Sequence, residues 1–235
     1  MAKKSERRRI LAVVTNVPEY STSGIRTGLW LGELTHFYDE ATAAGHEVVI
    51  ASIDGGFVPI DPESLAGPVL AMGGTKKRYE DRAFMNLLKD TPSVASMKAG
   101  DFDAIYLTGG HGTMYDFTGP LLSGLVSEFW TQGKIVSAVC HGPAGLLHAV
   151  DADGSPIVRK RKVTGFSWPE EKLAGRADVV PFDLSEALKD QGAKYTKTLR
   201  PMAKNVVVDG RLITGQNPMS AKAVAKAVLK AFDKS

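Results

Sequence analysis

The chain has 235 residues, 43% hydrophobic and 23% charged, with a net charge of +3 and one cysteine. That composition suits a globular protein with a sizeable core. No apolar run approaches the roughly 18 residues that cross a membrane, and a lone cysteine excludes an intramolecular disulfide.

In chain order, residues 1–9 carry five basic side chains against Glu6, a net +4 that leaves the rest of the chain at −1. This reads as a flexible solvated tail, and nucleic-acid binding is not expected because no aromatic-rich basic groove accompanies it. Ile10–Val14 is too short for the apolar region of a signal peptide. A cytoplasmic protein with a single α/β domain over residues 10–235 is expected.

Ile10–Thr15 is a continuous apolar run of the kind found in a buried parallel strand. Gly28–Ala44 has helical spacing and stops at Gly45. Glu47–Ile53 is a second strand, and the Pro- and Gly-rich Phe57–Thr75 is an excursion. Asp81–Leu88 is a helix, and Ala104–Thr108 a strand running into Gly109-Gly110-His111-Gly112. Pro120–Gln132 is a helix, Ile135–Val139 the central strand, and Pro143–Val150 the helix behind it. Val163–Phe166 and Ala177–Val180 read as short strands and Leu184–Gln191 as a helix. Asn205–Val208 and Arg211–Thr214 flank an Asp209-Gly210 turn, a hairpin signal. Ser220–Phe232 closes the chain as a helix with Ser220 as N-cap. Strands alternating with helices imply a mostly parallel sheet covered on both faces.

The chemistry concentrates at Ala138-Val-Cys-His-Gly-Pro143. A strand ends at the thiol of Cys140 and a Gly-Pro step opens the next helix, which has the logic of a nucleophile elbow. A thiol at a helix amino terminus is shifted toward thiolate by the dipole and by unpaired amides. The amide of His141, after the thiol, and that of Gly110 are placed to form an oxyanion hole. Reactive groups in such sheets collect beyond the carboxyl ends of strands, where Glu33 also falls as a candidate proton carrier.

Other chemistries are removed by absence. The glycine loop lacks the third Gly of G-x-G-x-x-G and the Gly-Lys pair of a P-loop. No histidine follows His148, whereas class I amidotransferases and papain-like proteases place their base well downstream of the cysteine. Leu146 stands where a cysteine phosphatase needs arginine. The histidine spacings match no zinc pattern, so no metal is expected. The cysteine base is therefore His141 or a carboxylate.

Several runs resemble the PfpI superfamily, the set of α/β proteins related to class I amidotransferase domains. They are Asp103–Met114, Ala138–Gly145, Thr164-Gly-Phe-Ser167 with Glu170-Glu171, and Leu212–Pro218, supported by Gly28–Asp39. The Gly-His-Gly-Thr and Ala-Val-Cys-His-Gly-Pro runs are similar to the heat-shock-protein branch, which holds glutathione-independent glyoxalase III enzymes. The resemblance implies a flavodoxin-like fold and cofactor-free conversion of methylglyoxal, a small 2-oxoaldehyde, to D-lactate. It places the nucleophile on Cys140, the base on His141, the carboxylate beside the thiol on Glu33, and the third triad acid on Glu170 or Glu171, with Glu171 preferred. It also implies a homodimer. The alternatives are a holdase chaperone, with an apolar patch around Phe57–Leu70, or a protein deglycase.

Overall fold

A computed structural model describes residues 6–233. Its main sheet has six strands: β1 (Arg9–Val14), β2 (Glu47–Ser52), β3 (Ala104–Leu107), β4 (Ile135–Val139), β7 (Val206–Asp209) and β8 (Leu212–Gly215). The order is β2-β1-β3-β4-β8-β7, parallel throughout except for β7. β5 (Lys162–Val163) and β6 (Lys194–Tyr195) pair in parallel as a separate two-stranded unit. The helices are α1 (Leu31–Ala43), α2 (Gly67–Leu70), α3 (Thr75–Glu80), α4 (Arg82–Asn86), α5 (Thr113–Asp116), α6 (Pro120–Thr131), α7 (Trp168–Leu173), α8 (Leu184–Asp190) and α9 (Ala221–Phe232).

β1 after Arg9, β3, β4 and β8 are apolar on both faces apart from the buried Ser137 and Thr214, because both faces of these strands are covered. Side chains alternate between two cores. Leu11, Val13, Ile105, Leu107, Val136 and Ala138 face one, with Leu122, Phe129 and Trp130 of α6. Ile10, Ala12, Tyr106, Val139 and Ile213 face the other, with Leu34 and Phe37 of α1 and Val224 and Val228 of α9. Because β2 and β3 leave on opposite sides of β1, the strand order reverses there and a crevice opens at the carboxyl ends.

The structure departs from the sequence reading in several places. The helix expected over Pro143–Val150 is a five-residue 3-10 turn, Gly142–Leu146; Gly142, Pro143 and Gly145 are poor α-helix formers. Ala177–Val180 is a turn, with the amides of Val179 and Val180 both bonded to the Arg176 carbonyl. Of Val163–Phe166 only Val163 is in a strand, because Thr164 N bonds Thr214 Oγ1 and Phe166 N bonds the Cys140 carbonyl. The hairpin loop is Gly210-Arg211, one residue later than expected, since Asp209 pairs with Leu212. Ser220 occupies the N-cap of α9 but makes no capping bond; its hydroxyl donates to Asn217 Oδ1 instead. Residues 1–5 of the expected tail lie outside the described residues. Of the remainder, Arg9 opens β1, Arg7 and Arg9 pair with Glu47, and Arg8 pairs with Asp103. Among the described residues no helix is long and apolar enough to cross a membrane.

Candidate active site

β4 ends at Val139, and the next residue, Cys140, has φ of 59°. This left-handed conformation is costly for a side-chain-bearing residue and marks a strained elbow. Two backbone bonds hold it: Cys140 N donates to Gly215 O at 2.9 Å, and Phe166 N donates to Cys140 O at 2.7 Å. β3 runs beside β4, so its outgoing loop arrives next to the thiol. At Gly109 a Cβ would stand 2.6 Å from Glu33 Oε2 and 2.8 Å from Cys140 Cβ, so only glycine allows this approach.

Glu33 projects from the first turn of α1 and is fully buried. Its Oε2 accepts the Gly109 N–H at 2.7 Å, while Oε1 is buried without a hydrogen-bond partner of good geometry. Tyr106 donates its hydroxyl to the Glu33 carbonyl and stacks on Phe37, with ring centroids 3.8 Å apart, which fixes this turn against β3. Burial pushes the Glu33 carboxyl up to about 8, against a weaker opposing effect from the neighbouring thiol and the Gly109 amide. Glu33 is therefore a carboxylic acid at neutral pH.

His141 Nδ1 lies 3.4 Å from Cys140 Sγ, and its Nε2 is 2.8 Å from Glu171 Oε2. The other Glu171 oxygen, Oε1, is 2.7 Å from His111 Nε2. Burial raises the Glu171 carboxyl, but the charges and hydrogen bonds of the two imidazoles outweigh it and hold the group well below the usual carboxylate range. An ionised Glu171 accepts an N–H from each ring, so each Nε2 carries a proton, and a ring in its neutral form keeps its lone pair on Nδ1. For His141 that lone pair meets the thiol. His111 is held neutral by burial and by the positive charge His141 can acquire.

The expected lowering of the thiol by a helix dipole does not occur. Burial pushes Cys140 well above its ordinary value, and an ionised Glu33 adds to that. The helix that was to supply the dipole is the five-residue turn. Neutral Glu33 withdraws its own repulsion and offers a donor to the sulfur in its place.

Cys140, His141, Glu33 and Glu171 are thus brought together, with Glu171 rather than Glu170 against the His141 ring. Glu170 accepts from Ser167 N and Oγ, Gln216 Nε2, Met202 N and Asn217 Nδ2. It closes a capping box on α7, and the Ser-x-x-Glu spacing of Ser167 and Glu170 was the signal for that role. His111 was missed. The signal was its place in the glycine loop after a strand adjacent to the cysteine strand.

Cys140, His141, His111 and Gly110 lie at the floor of a cavity of about 220 Å³. Gly110 (φ 104°) packs its α-carbon against the Gly28 carbonyl, where a Cβ would stand only 2.0 Å away. The amides of Gly110 and His141 donate to no acceptor among the described residues. The set offers a sulfur nucleophile, an adjacent imidazole lone pair, a carboxylic acid and two free amide donors. His111, His141 and Glu171 also present ligand atoms within 4.8 Å of one another, although each Glu171 oxygen is already engaged by an imidazole.

Residues 27–231 match the model of the DJ-1/PfpI family. Glyoxalase 3 of Candida albicans is 29% identical over 96% of this chain and 98% of its own. The glutathione-independent glyoxalase HSP31 of Saccharomyces cerevisiae is 30% identical over 92% and 94%. Among solved structures, glyoxalase III of Candida albicans superposes with a TM-score of 0.89 at 28% identity, covering 97% of this chain and 98% of that one. The 24 kDa rapid encystment protein of Francisella tularensis superposes with a TM-score of 0.90 at 37% identity, covering 96% and 99%. With a six-stranded, mostly parallel sheet and a cysteine at the bend after its central strand, this chain belongs to the DJ-1/PfpI family.

Proposed function

We propose that the protein is a glutathione-independent glyoxalase III that converts methylglyoxal to D-lactate. The observation that carries the reading is the continuous array Cys140 Sγ, His141 Nδ1, His141 Nε2 and Glu171 Oε2, at 3.4 and 2.8 Å, on the floor of an open cavity. The names of the similar fungal proteins support it.

The sulfur of Cys140 adds to the aldehyde carbon, and its proton passes to the new oxygen, giving a hemithioacetal. The amides of Gly110 and His141 stabilise the charge that develops on that oxygen. His141 Nδ1 removes the proton from the former aldehyde carbon, since the adjacent carbonyl acidifies it, and an enediol forms. Return of the proton to the second carbon gives a thioester of the 2-hydroxy acid. Water attacks that thioester, releasing the acid and restoring the thiol. The Glu33 carboxylic acid supplies and recovers the proton beside the sulfur, and Glu171 keeps the His141 lone pair turned toward it. Water is the one co-reactant, because one carbon is oxidised as its neighbour is reduced. The sulfur of Cys140 takes the part that a thiol co-substrate would otherwise play.

The test is incubation of purified protein with methylglyoxal, without added thiol and with a chelator, followed by assay of D-lactate. Cys140→Ala is expected to abolish product, and His141→Ala to lower kcat by about a hundredfold or more. Equal slow consumption by wild type and Cys140→Ala overturns the proposal. A homodimer and a cytoplasmic setting stand as parts of the same reading. The chaperone alternative has less to rest on, since Phe57 is the one strongly exposed large hydrophobic side chain in Phe57–Leu70.

A further inference from the structure

The cavity is larger, and its outer part more apolar, than a three-carbon aldehyde requires. Its floor holds the thiol and imidazoles, its walls are Trp30, Phe166 and Pro218, and its rim carries Leu173 and Met202. A cavity of 150 Å³ lined by Leu, Ile and Phe accepts benzene, and this one measures about 220 Å³. That leaves room for a ring together with a two-carbon dicarbonyl unit. Leu173, the last residue of α7 and two positions after Glu171, is 68% exposed at the rim with no side chain covering it.

Two carboxylates border the space, Glu170 with both oxygens engaged and Glu63 held through one oxygen by Arg176. Both Glu170 oxygens are occupied by the five donors from Ser167, Met202, Gln216 and Asn217. Glu63 is ion-paired with Arg176, which ties the excursion to the segment after α7. A substrate with hydroxyl or charged groups beyond the dicarbonyl would set them against Trp30, Phe166 and Pro218, which offer them no side-chain acceptor. One with an apolar substituent would gain by covering Leu173, Trp30 and Phe166.

We infer that this site is built for 2-oxoaldehydes bearing a bulky apolar or aromatic substituent, with methylglyoxal a smaller substrate that underfills it. The inference rests on the glyoxalase III reading and specifies its substrate class. The reaction is R–CO–CHO + H2O → R–CHOH–COOH: the aldehyde carbon is oxidised, the ketone carbon reduced, and no external electron acceptor takes part. With the dicarbonyl at Cys140, R points to the rim.

The test compares kcat/KM of the whole protein for glyoxal, methylglyoxal, isopropylglyoxal, phenylglyoxal and a six-carbon 3-deoxyosone. The 2-hydroxy acid product is measured, because aryl glyoxals also add to arginine side chains. Isopropylglyoxal and phenylglyoxal are expected to exceed methylglyoxal by about tenfold or more, glyoxal to fall below it, and the deoxyosone to be the poorest. Leu173→Asp, on an exposed side chain that the fold does not need, is expected to lower the phenylglyoxal-to-methylglyoxal ratio about fivefold or more. Cys140-dependent turnover in which methylglyoxal or the deoxyosone equals or exceeds the bulky apolar substrates overturns this inference and leaves the parent reading standing. Absence of Cys140-dependent product from every substrate overturns both.

Discussion

Replacing Glu33 by glutamine tests whether a carboxylic acid stands beside the thiol. The folded protein keeps the Glu33 proton up to about pH 8, whereas the ordinary value is 4.5. Between those limits the native state binds more protons than the unfolded chain, so stability falls as pH rises. Each pH unit costs about 1.4 kcal/mol, and the whole span about 5 kcal/mol for this fully buried group. Below pH 4.5 both states are protonated, above 8 both are ionised, and the slope vanishes at either end. Glu33→Gln is neutral throughout; its carbonyl can accept the Gly109 N–H, and its amide can present a donor toward the sulfur. The stability difference between variant and wild type should therefore grow by about 1 kcal/mol per unit from pH 5 to 8 in favour of Gln, then level off. Equilibrium urea unfolding at fixed protein concentration, followed by the fluorescence of the three tryptophans, reads this difference. Asp116, which burial raises to about 7, titrates alike in both proteins and cancels. A difference constant across that range would mean that Glu33 is ionised in the fold, and the assignment of a carboxylic acid beside the thiol would fail.

The adjacent glutamates should separate cleanly. Glu170→Ala removes an acceptor that satisfies five donors and should cost about 3 kcal/mol of stability by calorimetry, since the buried Gln216 Nε2 loses its acceptor and Asn217 Nδ2 keeps only the Ala203 carbonyl. Glu171→Ala should instead lower kcat by about a hundredfold or more, because His141 loses the bond that sets its tautomer; equal effects of the two changes on kcat would refute the assignment. Gly110→Ala, whose Cβ would lie 2.0 Å from the Gly28 carbonyl oxygen, should destabilise by about 4 kcal/mol, and an unchanged melting temperature would contradict the observed loop path.

The sheet was legible because β1, β3 and β4 are short, almost wholly apolar runs without a polar alternation, a pattern that buried parallel strands need. Cys140 stood out because Gly142-Pro143 ends its strand sharply. Periodicity could not show that the segment after it winds as a 3-10 turn, because Gly-Pro-Ala-Gly-Leu has the apolar content of a helix without its propensity. Neither could it rank the histidines. His111 owes its position to pairing between β3 and β4, a non-local fact. Val179 and Val180 have the residue types of a strand but no neighbouring edge to pair with, so tertiary context overrode propensity.

The register between β3 and β4, with Leu107 opposite Ala138, has an evolutionary corollary. The two loops that carry the reacting groups leave the ladder within three residues of that pair, so a single inserted residue in either strand would invert the pleat and scatter them. Glu63, in a four-residue 3-10 turn, and Met202, in a turn, in contrast sit at the entrance with no ladder to violate. Descendants of this chain can accordingly exchange what they admit while inheriting the reaction unaltered, since selection on the doorway and selection on the chemistry act on mechanically separate stretches of backbone.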